Sequence, residues 1–330
     1  MTIDQLSRTH GGEAPQPGRF RHEALLYAGA EQFVERTAAF VRDALAADEP
    51  VMVAVIEPRA GMLRDALGAD TRRVQFVDME TVGRNPARII PVWQEWAARH
   101  ARTARAFRGV GEPIWRGRSE AELAECHLHE ALLNTAFDDG PPWWLVCPYD
   151  VSSLGPDVVA TARHTHPAMI DGRPTSAEAR QPNAQFTQAA MYTTPWSEPT
   201  GTLYQTGFGM NDLPRIRQAV AACAAHEHVA PDRVDDLVLV ANELACNSIK
   251  HGGGTGTLRL WRERGELICE VRDRGLITDP LAGRRKPDPR SDGGAGLWIA
   301  NLLCDLVRIR STAQDGTTVR VHIEARTGRI

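Results

Sequence analysis

The stretch NELACNSIKHG, Asn242 to Gly252, decides how the C-terminal part of this chain reads. It closes a helix that starts near Pro231. Val234, Leu237, Val238, Val240, Ala241, Leu244, Ala245 and Ile249 recur at helical spacing, and proline suits a first helical turn. Gly252, Gly253 and Gly254 stop it. Glu243, Asn247 and His251 stand four residues apart, so a carboxylate, an amide and an imidazole share one face while the apolar residues take another. A carboxylate can act as a general base, and an amide oxygen is a hard ligand suited to magnesium. A merely solvated polar face has the same spacing, so the residues downstream must decide between the two readings.

Downstream, TLRLWRERG and ELICEVRDRG alternate in polarity and predict a hairpin that turns at Gly265. Its second strand brings Asp273 and Gly275 to the exit. Leu276 to Asp292 is rich in Pro and Arg and has no period. GGAGLWIANLLCDLVRIRS then places Gly293, Gly294 and Gly296 at the start of an apolar helix, where bare backbone N–H groups form an anion site.

The ordered set of acid-amide helix, Asp-x-Gly strand exit, loop and Gly-x-Gly helix start resembles the ATP-binding fold shared by gyrase, heat-shock chaperones, histidine kinases and MutL mismatch-repair proteins. Within that group it is most similar to the compact anti-sigma-factor serine kinases of the RsbW and SpoIIAB type. NELACNSIKHG looks like their N box, DRG their first glycine box and GGAGL their second. The resemblance implies an α+β Bergerat-type (GHKL) ATP-binding sandwich over residues 206–328, with ATP and Mg as cofactors. It makes Glu243 the base toward a substrate serine and Asn247 the magnesium ligand. It gives Asp273 the adenine amino group, with Gly275 letting the base approach. Gly294, Gly296 and Leu297 would cradle the phosphates, with His251 at the same site. Arg284 and Arg285 would act from the lid, and Thr318, in GTTVRVHI, would set a hydroxyl near the adenine. One residue departs from the pattern: Ile277 stands where the second glycine of Asp-x-Gly-x-Gly is expected.

The chain has 330 residues, 42% of them hydrophobic, which suits two domains with a core each. A net charge of −4 argues against a nucleic-acid-binding surface. No apolar run reaches bilayer-spanning length and no signal-peptide core is visible, so the expectation is a cytoplasmic protein. Six cysteines without a C-x-x-C pair read as reduced thiols.

Residues 1–19 read as a disordered tail. From 20 to 168, apolar strands alternate with amphipathic helices: HEALLYAG, Glu31 to Ala47, VMVAVIEP, Arg59 to Leu67, VQFVDM, Pro86 to His100, FRGVGEPIW, Glu120 to Phe137, WWLVCPYD and Pro156 to Arg163. Continuous hydrophobic strands between helices predict an α/β domain with a mostly parallel sheet covered on both faces. Ligands of such sheets bind at the carboxyl ends of the strands, which here carry Glu57, Asp78, Glu112, Cys147, Tyr149 and Asp150. No G-x-x-x-x-G-K-[ST] is present in the chain.

HEALLY, FVDMETVGRNPARIIPVW, GVGEPIWRGRS, ECHLHEALLN and LVCPYD are similar to the MEDS family of sensory domains. The resemblance implies a small-molecule pocket drawn from His22, Glu23, Glu112, His129, Glu130, Cys147, Tyr149 and Asp150. A metal site from Cys126, His127 and His129 with Cys147, His164 and His166 is the alternative use of the same region, although C-H-x-H on a helix does not put all three on one face. Trp93, Trp96, Trp115, Trp143 and Trp144 read as core or pocket wall. Residues 169–205 read as a linker with one short helix near Asn183 to Ala190, and Leu213 to Val229 as an amphipathic helix leading into the N box.

Together these readings predict a regulator: an anti-sigma factor with serine kinase activity toward a STAS-type anti-anti-sigma partner, gated by a small molecule at the N-terminal domain. It would also sequester a sigma factor, and family likeness allows a homodimer. Two other readings use the same residues. One is a non-catalytic ATP/ADP-binding switch. The other is a histidine-kinase-like sensor that autophosphorylates on His129, next to Glu130.

Overall fold

A computed structural model describes residues 20–102, 106–170, 196–288 and 294–325 of the protein. The chain divides into two units, Met1–Thr187 and Gln188–Ile330.

The first unit is built on six strands: β1 (Arg21–Tyr27), β2 (Val51–Val55), β3 (Val74–Asp78), β4 (Arg108–Gly111), β5 (Trp144–Asp150) and β6 (Ala168–Met169). Their order is β3-β2-β4-β5-β1-β6 and every pairing is parallel, which is the α/β architecture the apolar runs predict. Helices α1 (Gly29–Ala46) and α2 (Arg59–Leu67) cover one face, closing over Leu25, Tyr27, Val51, Val53, Val55, Val110 and Val146. The short α3 (Met79–Val82) follows β3, and α4 (Ile89–His100), α5 (Glu120–Ala136) and α6 (Pro156–Thr165) complete the unit. Gly109 and Gly111 make room for the ring of Trp93 on α4, since a Cβ on Gly109 would fall 2.8 Å from that ring. The start of α5 is written in the sequence as S-x-x-E: Glu122 N–H donates to Ser119 Oγ and Ser119 N–H donates to Glu122 Oε2 at 2.8 Å. Trp93, Trp96, Trp143, Phe107 and Phe137 pack ring on ring in the core.

The second unit is an antiparallel sheet of β7 (Tyr204–Phe208), β8 (Gly256–Glu263), β9 (Glu266–Asp273), β10 (Leu306–Thr312) and β11 (Gly316–Glu324), in the order β10-β11-β9-β8-β7. The β8–β9 hairpin turns at Arg264 and Gly265, both with positive φ as a two-residue turn of this hand requires. Helices α7 (Leu213–His226), α8 (Pro231–His251) and α9 (Ala295–Leu303) join one core with Leu258, Leu260, Leu267, Cys269, Val271, Val319, Val321 and Ile323. Residues of opposite parity, among them Trp261, Glu270 and Arg320, form the other face. The guanidinium of Arg320 stacks between the rings of Trp196 and Trp261.

The stretch read as a linker is therefore partly structured. Met169 belongs to β6, Tyr204 starts β7, and Glu198 accepts from Arg259 and Arg272 of the sheet. Its polar composition hides this, because these contacts are made by ion pairs and single rings rather than by a periodic apolar face. The helix expected near Asn183 to Ala190, the N-terminal tail and Gly293 lie outside the described residues. Among the described residues, no helix is long and apolar enough to cross a membrane.

Candidate functional site

In the second unit, α8 presents Glu243 and Asn247, both half-buried, while His251 is exposed one turn further on. The N-terminus of α9 is brought directly onto this pair. A Cβ on Gly296 would lie 2.8 Å from Asn247 Nδ2 and 3.3 Å from Glu243 Oε2, so only a glycine lets the helix start approach that closely. Gly294 caps α9 in the left-handed conformation, φ 91°, with no side-chain cap, so backbone N–H groups edge the helix start. Leu297 is half-buried against the core on the same helix.

The other end of the site is built around Asp273 at the exit of β9. Its Oδ2 accepts from Ser248 Oγ of α8 at 2.6 Å, and its Oδ1 accepts from the Gly275 N–H at 2.7 Å. Gly252 lets the helix end press against this carboxylate, because a Cβ there would fall 2.3 Å from Asp273 Cγ. Each carboxylate oxygen keeps a lone pair for a further donor.

The hydroxyl beside this carboxylate belongs to Thr317, which pairs with Asp273, whereas Thr318 pairs with Arg272 on the opposite face of the sheet. Thr317 Oγ1 donates to the Gly275 carbonyl at 2.9 Å and contacts Ser311 Oγ at 2.7 Å, and Ser311 Oγ accepts from the Ile277 N–H at 2.9 Å. This chain orders the 275–277 turn. Ile277 sits there without a left-handed backbone and packs its side chain on the core, so the missing second glycine is not needed for the path of the chain.

After that turn, Leu281 is buried, and Asn301 Nδ2 of α9 donates to the Gly283 carbonyl at 2.9 Å. Of the two arginines expected to act from a lid, Arg284 is buried and Arg285 is exposed. A nucleoside triphosphate with magnesium fits what is present: a half-buried carboxylate for a base amino group, a glycine-edged helix start for phosphates, and an amide beside it for the ion.

In the first unit, the sensory candidates separate into two groups. At the carboxyl ends of the strands, Arg59 bridges Glu112 Oε1 at 2.8 Å and Asp150 Oδ2 at 3.4 Å, and Tyr27 Oη donates to Glu112 at 3.1 Å. Burial pushes the Glu112 carboxyl up to about 7 against the pull of Arg59. Asp150 is held below the usual range: its partial burial raises it, but hydrogen bonds from Ser152, Ser153 and Gly29 prevail.

On the sheet face opposite α1 and α2, His22, Glu130 and Cys147 meet His166, all buried. Burial, then the neighbouring His166, lowers His22 to about 4. Burial alone would raise Glu130, yet hydrogen bonds from His166 and His22 hold it well below the carboxylate range. Burial and then the Glu130 charge push the Cys147 thiol and the Tyr149 phenol up. Tyr149 stands edge-on to His166 at 5.5 Å.

Glu23 points to the other face, where it accepts from Trp144 Nε1 at 3.1 Å and pairs with Arg21. His129 is buried on α5. Of the alternative metal grouping of Cys126, His127, His129, Cys147, His164 and His166, the buried cluster takes in Cys147 and His166. Alternation along β1 and β5 puts Glu23 and His22 on different faces, which a reading by sequence proximity does not separate.

A model of the MEDS family, the MEthanogen/methylotroph, DcmR Sensory domain, matches residues 21–167. A model of the histidine kinase-like ATPase domain matches residues 210–323. No curated protein matches the chain. The protein joins a MEDS sensory domain to a C-terminal GHKL-like, histidine kinase-like ATPase domain.

Proposed function

We propose that the ATPase domain is an ATP-dependent protein serine kinase of the anti-sigma-factor type, acting on a small STAS-type antagonist and sequestering a sigma factor, under control of a small molecule bound by the MEDS domain. The observation behind this reading is the position of the Glu243 carboxylate, 3.3 Å from where a Cβ of Gly296 would stand, at the phosphate end of the site. A carboxylate there can take the proton of an incoming hydroxyl on Oε2. Magnesium-bound ATP supplies the phosphoryl group; transfer then depends on alignment and charge neutralisation. Asn247 holds the ion, Gly294 and Gly296 offer N–H groups to the phosphates, and Asp273 orients the base. Arg285, exposed on the segment after β9, reaches a phosphate from the lid in this reading. The strand-end group of Arg59, Glu112, Asp150 and Tyr27 is the place proposed for the sensed molecule. The resemblance to RsbW-type kinases supplies the partner class.

The test is transfer of labelled γ-phosphate into proteins of a source lysate by wild type and Glu243→Ala. An acid-stable label on a small protein, lost in the variant with nucleotide affinity kept, supports the kinase; equal labelling by the variant removes it. The docking of residues 281–284 on α9 favours a second reading, a nucleotide-gated switch without transfer. Nucleotide-dependent capture of a partner with no labelling selects it.

A further inference from the structure

Four side chains from distant parts of the MEDS domain converge in its interior: His22 on β1, Glu130 on α5, Cys147 on β5 and His166 just past α6. One ligating atom from each lies within 4.8 Å of all the others, and all four residues are buried. His22 Nε2 is 2.9 Å from Glu130 Oε2 and 3.3 Å from Cys147 Sγ, and His166 Nε2 is 3.2 Å from the same Glu130 oxygen. Around a tetrahedral ion with bonds of about 2.0–2.3 Å, ligand atoms stand roughly 3.3–3.8 Å apart. The cluster already has nearly that size.

The outer contacts orient both rings toward the centre. Asn134 Nδ2 donates to the Thr165 carbonyl at 2.9 Å, which leaves Asn134 Oδ1 as the acceptor for His22 Nδ1 at 3.2 Å. His166 Nδ1 donates to the Ala162 carbonyl at 2.8 Å. With each Nδ1 engaged in this way, both Nε2 atoms face Glu130 Oε2. The second carboxylate oxygen, Glu130 Oε1, has no hydrogen-bond partner of normal geometry among the described residues. A carboxylate closed off from water is stabilised by positive charge at its oxygens, and an ion held among these four converging groups supplies it. Histidines held through the far nitrogen are the usual outer shell of a metal centre.

We propose that this domain binds one divalent transition-metal ion, zinc in kind, on His22, Glu130, Cys147 and His166. The mixed nitrogen, sulfur and oxygen donors suit zinc rather than magnesium or calcium. One thiolate and one carboxylate balance the charge of a divalent ion, and the Cys147 thiol releases its proton to solvent as the ion binds. All four positions are taken by protein, so the ion is a clasp joining β1, β5, α5 and the end of α6 rather than a hydrolytic centre.

Cobalt(II) is the probe, titrated into the reduced, metal-stripped full-length protein. The expected result is a saturable thiolate-to-cobalt absorption band with tetrahedral d–d bands at one ion per chain, displaced by zinc. Cys147→Ser loses the charge-transfer band, Cys126→Ser keeps it, and Asn134→Ala weakens binding by about 10–100-fold. A folded wild type that takes up no cobalt, or a Cys147→Ser variant with the same band, overturns the site. Should Cys147→Ser fail to fold, the wild-type titration and the metal content of the purified protein still decide.

Discussion

Gly296 touches Asn247: a methyl group on the glycine would fall 2.8 Å from the amide nitrogen. The contact joins the start of α9 to the acid-amide face of α8, the two motifs proposed for the phosphates and the ion. Neither motif alone positions the other.

Gly296→Ala should therefore displace the Asn247 amide, at a cost of about 1–3 kcal/mol for overpacking. We expect magnesium-nucleotide affinity to fall about tenfold or more by calorimetric titration, with the far-ultraviolet circular dichroism unchanged. Unaltered affinity would show that the close approach has no part in binding.

Thr317→Val breaks the path from Ile277 through Ser311 to the Gly275 carbonyl, leaving buried polar groups short of a partner. A loss of about 1–3 kcal/mol in domain stability follows, with weaker nucleotide binding. Thr318→Val, on the opposite face, should leave nucleotide affinity within about twofold. If the two variants bind alike, the parity argument fails.

The folded state holds a proton on Glu112 up to about pH 7, whereas an unfolded glutamate loses it near 4.5. The folded protein thus binds more protons than the unfolded chain between these values, and stability falls as pH rises through that window. The cost is absent below about 4.5 and complete above about 7, amounting to about 3 kcal/mol or less. Tryptophan-monitored unfolding should show this decline in wild type and a flatter profile in Glu112→Gln. Parallel profiles would contradict it.

Glu270 is fully buried and pairs with three arginines: Arg259 at 2.7 Å, Arg272 at 2.6 Å and Arg320 at 2.7 Å. Burial raises its carboxyl, but hydrogen bonds from Arg320, Arg272 and Arg259 bring it below the usual range. Glu270→Ala removes, among the described residues, the acid that all three arginines share, and leaves the buried Arg320 without a carboxylate partner. A loss of about 3–5 kcal/mol in urea unfolding of the ATPase domain is expected. A shift under about 1 kcal/mol would show that Glu198 takes over the pairing.

How much could be read beforehand depended on how far apart the cooperating residues lie. Glu243 and Asn247 face the same way because a helix repeats every 3.6 residues, so their partnership was visible in eleven letters of sequence. The Ser119 to Glu122 capping box and the Arg264–Gly265 turn are equally local. The parallel sheet followed from unbroken apolar strands between helices.

By itself, then, the sequence determined what local periodicity and turn chemistry dictate: two domains, their fold classes, and the order of acid-amide helix, aspartate exit and glycine helix start. Tertiary structure alone decided which side chains meet across the sheets. His22 and Cys147 are 125 residues apart and join only because β1 lies beside β5 in parallel register. Thr317 rather than Thr318 reaches the Asp273 side because β11 pairs with β9 in one register, and a shift of one residue would exchange their faces. Such pairings depend on strand order and on long-range closure of the core, and no neighbouring residue encodes them.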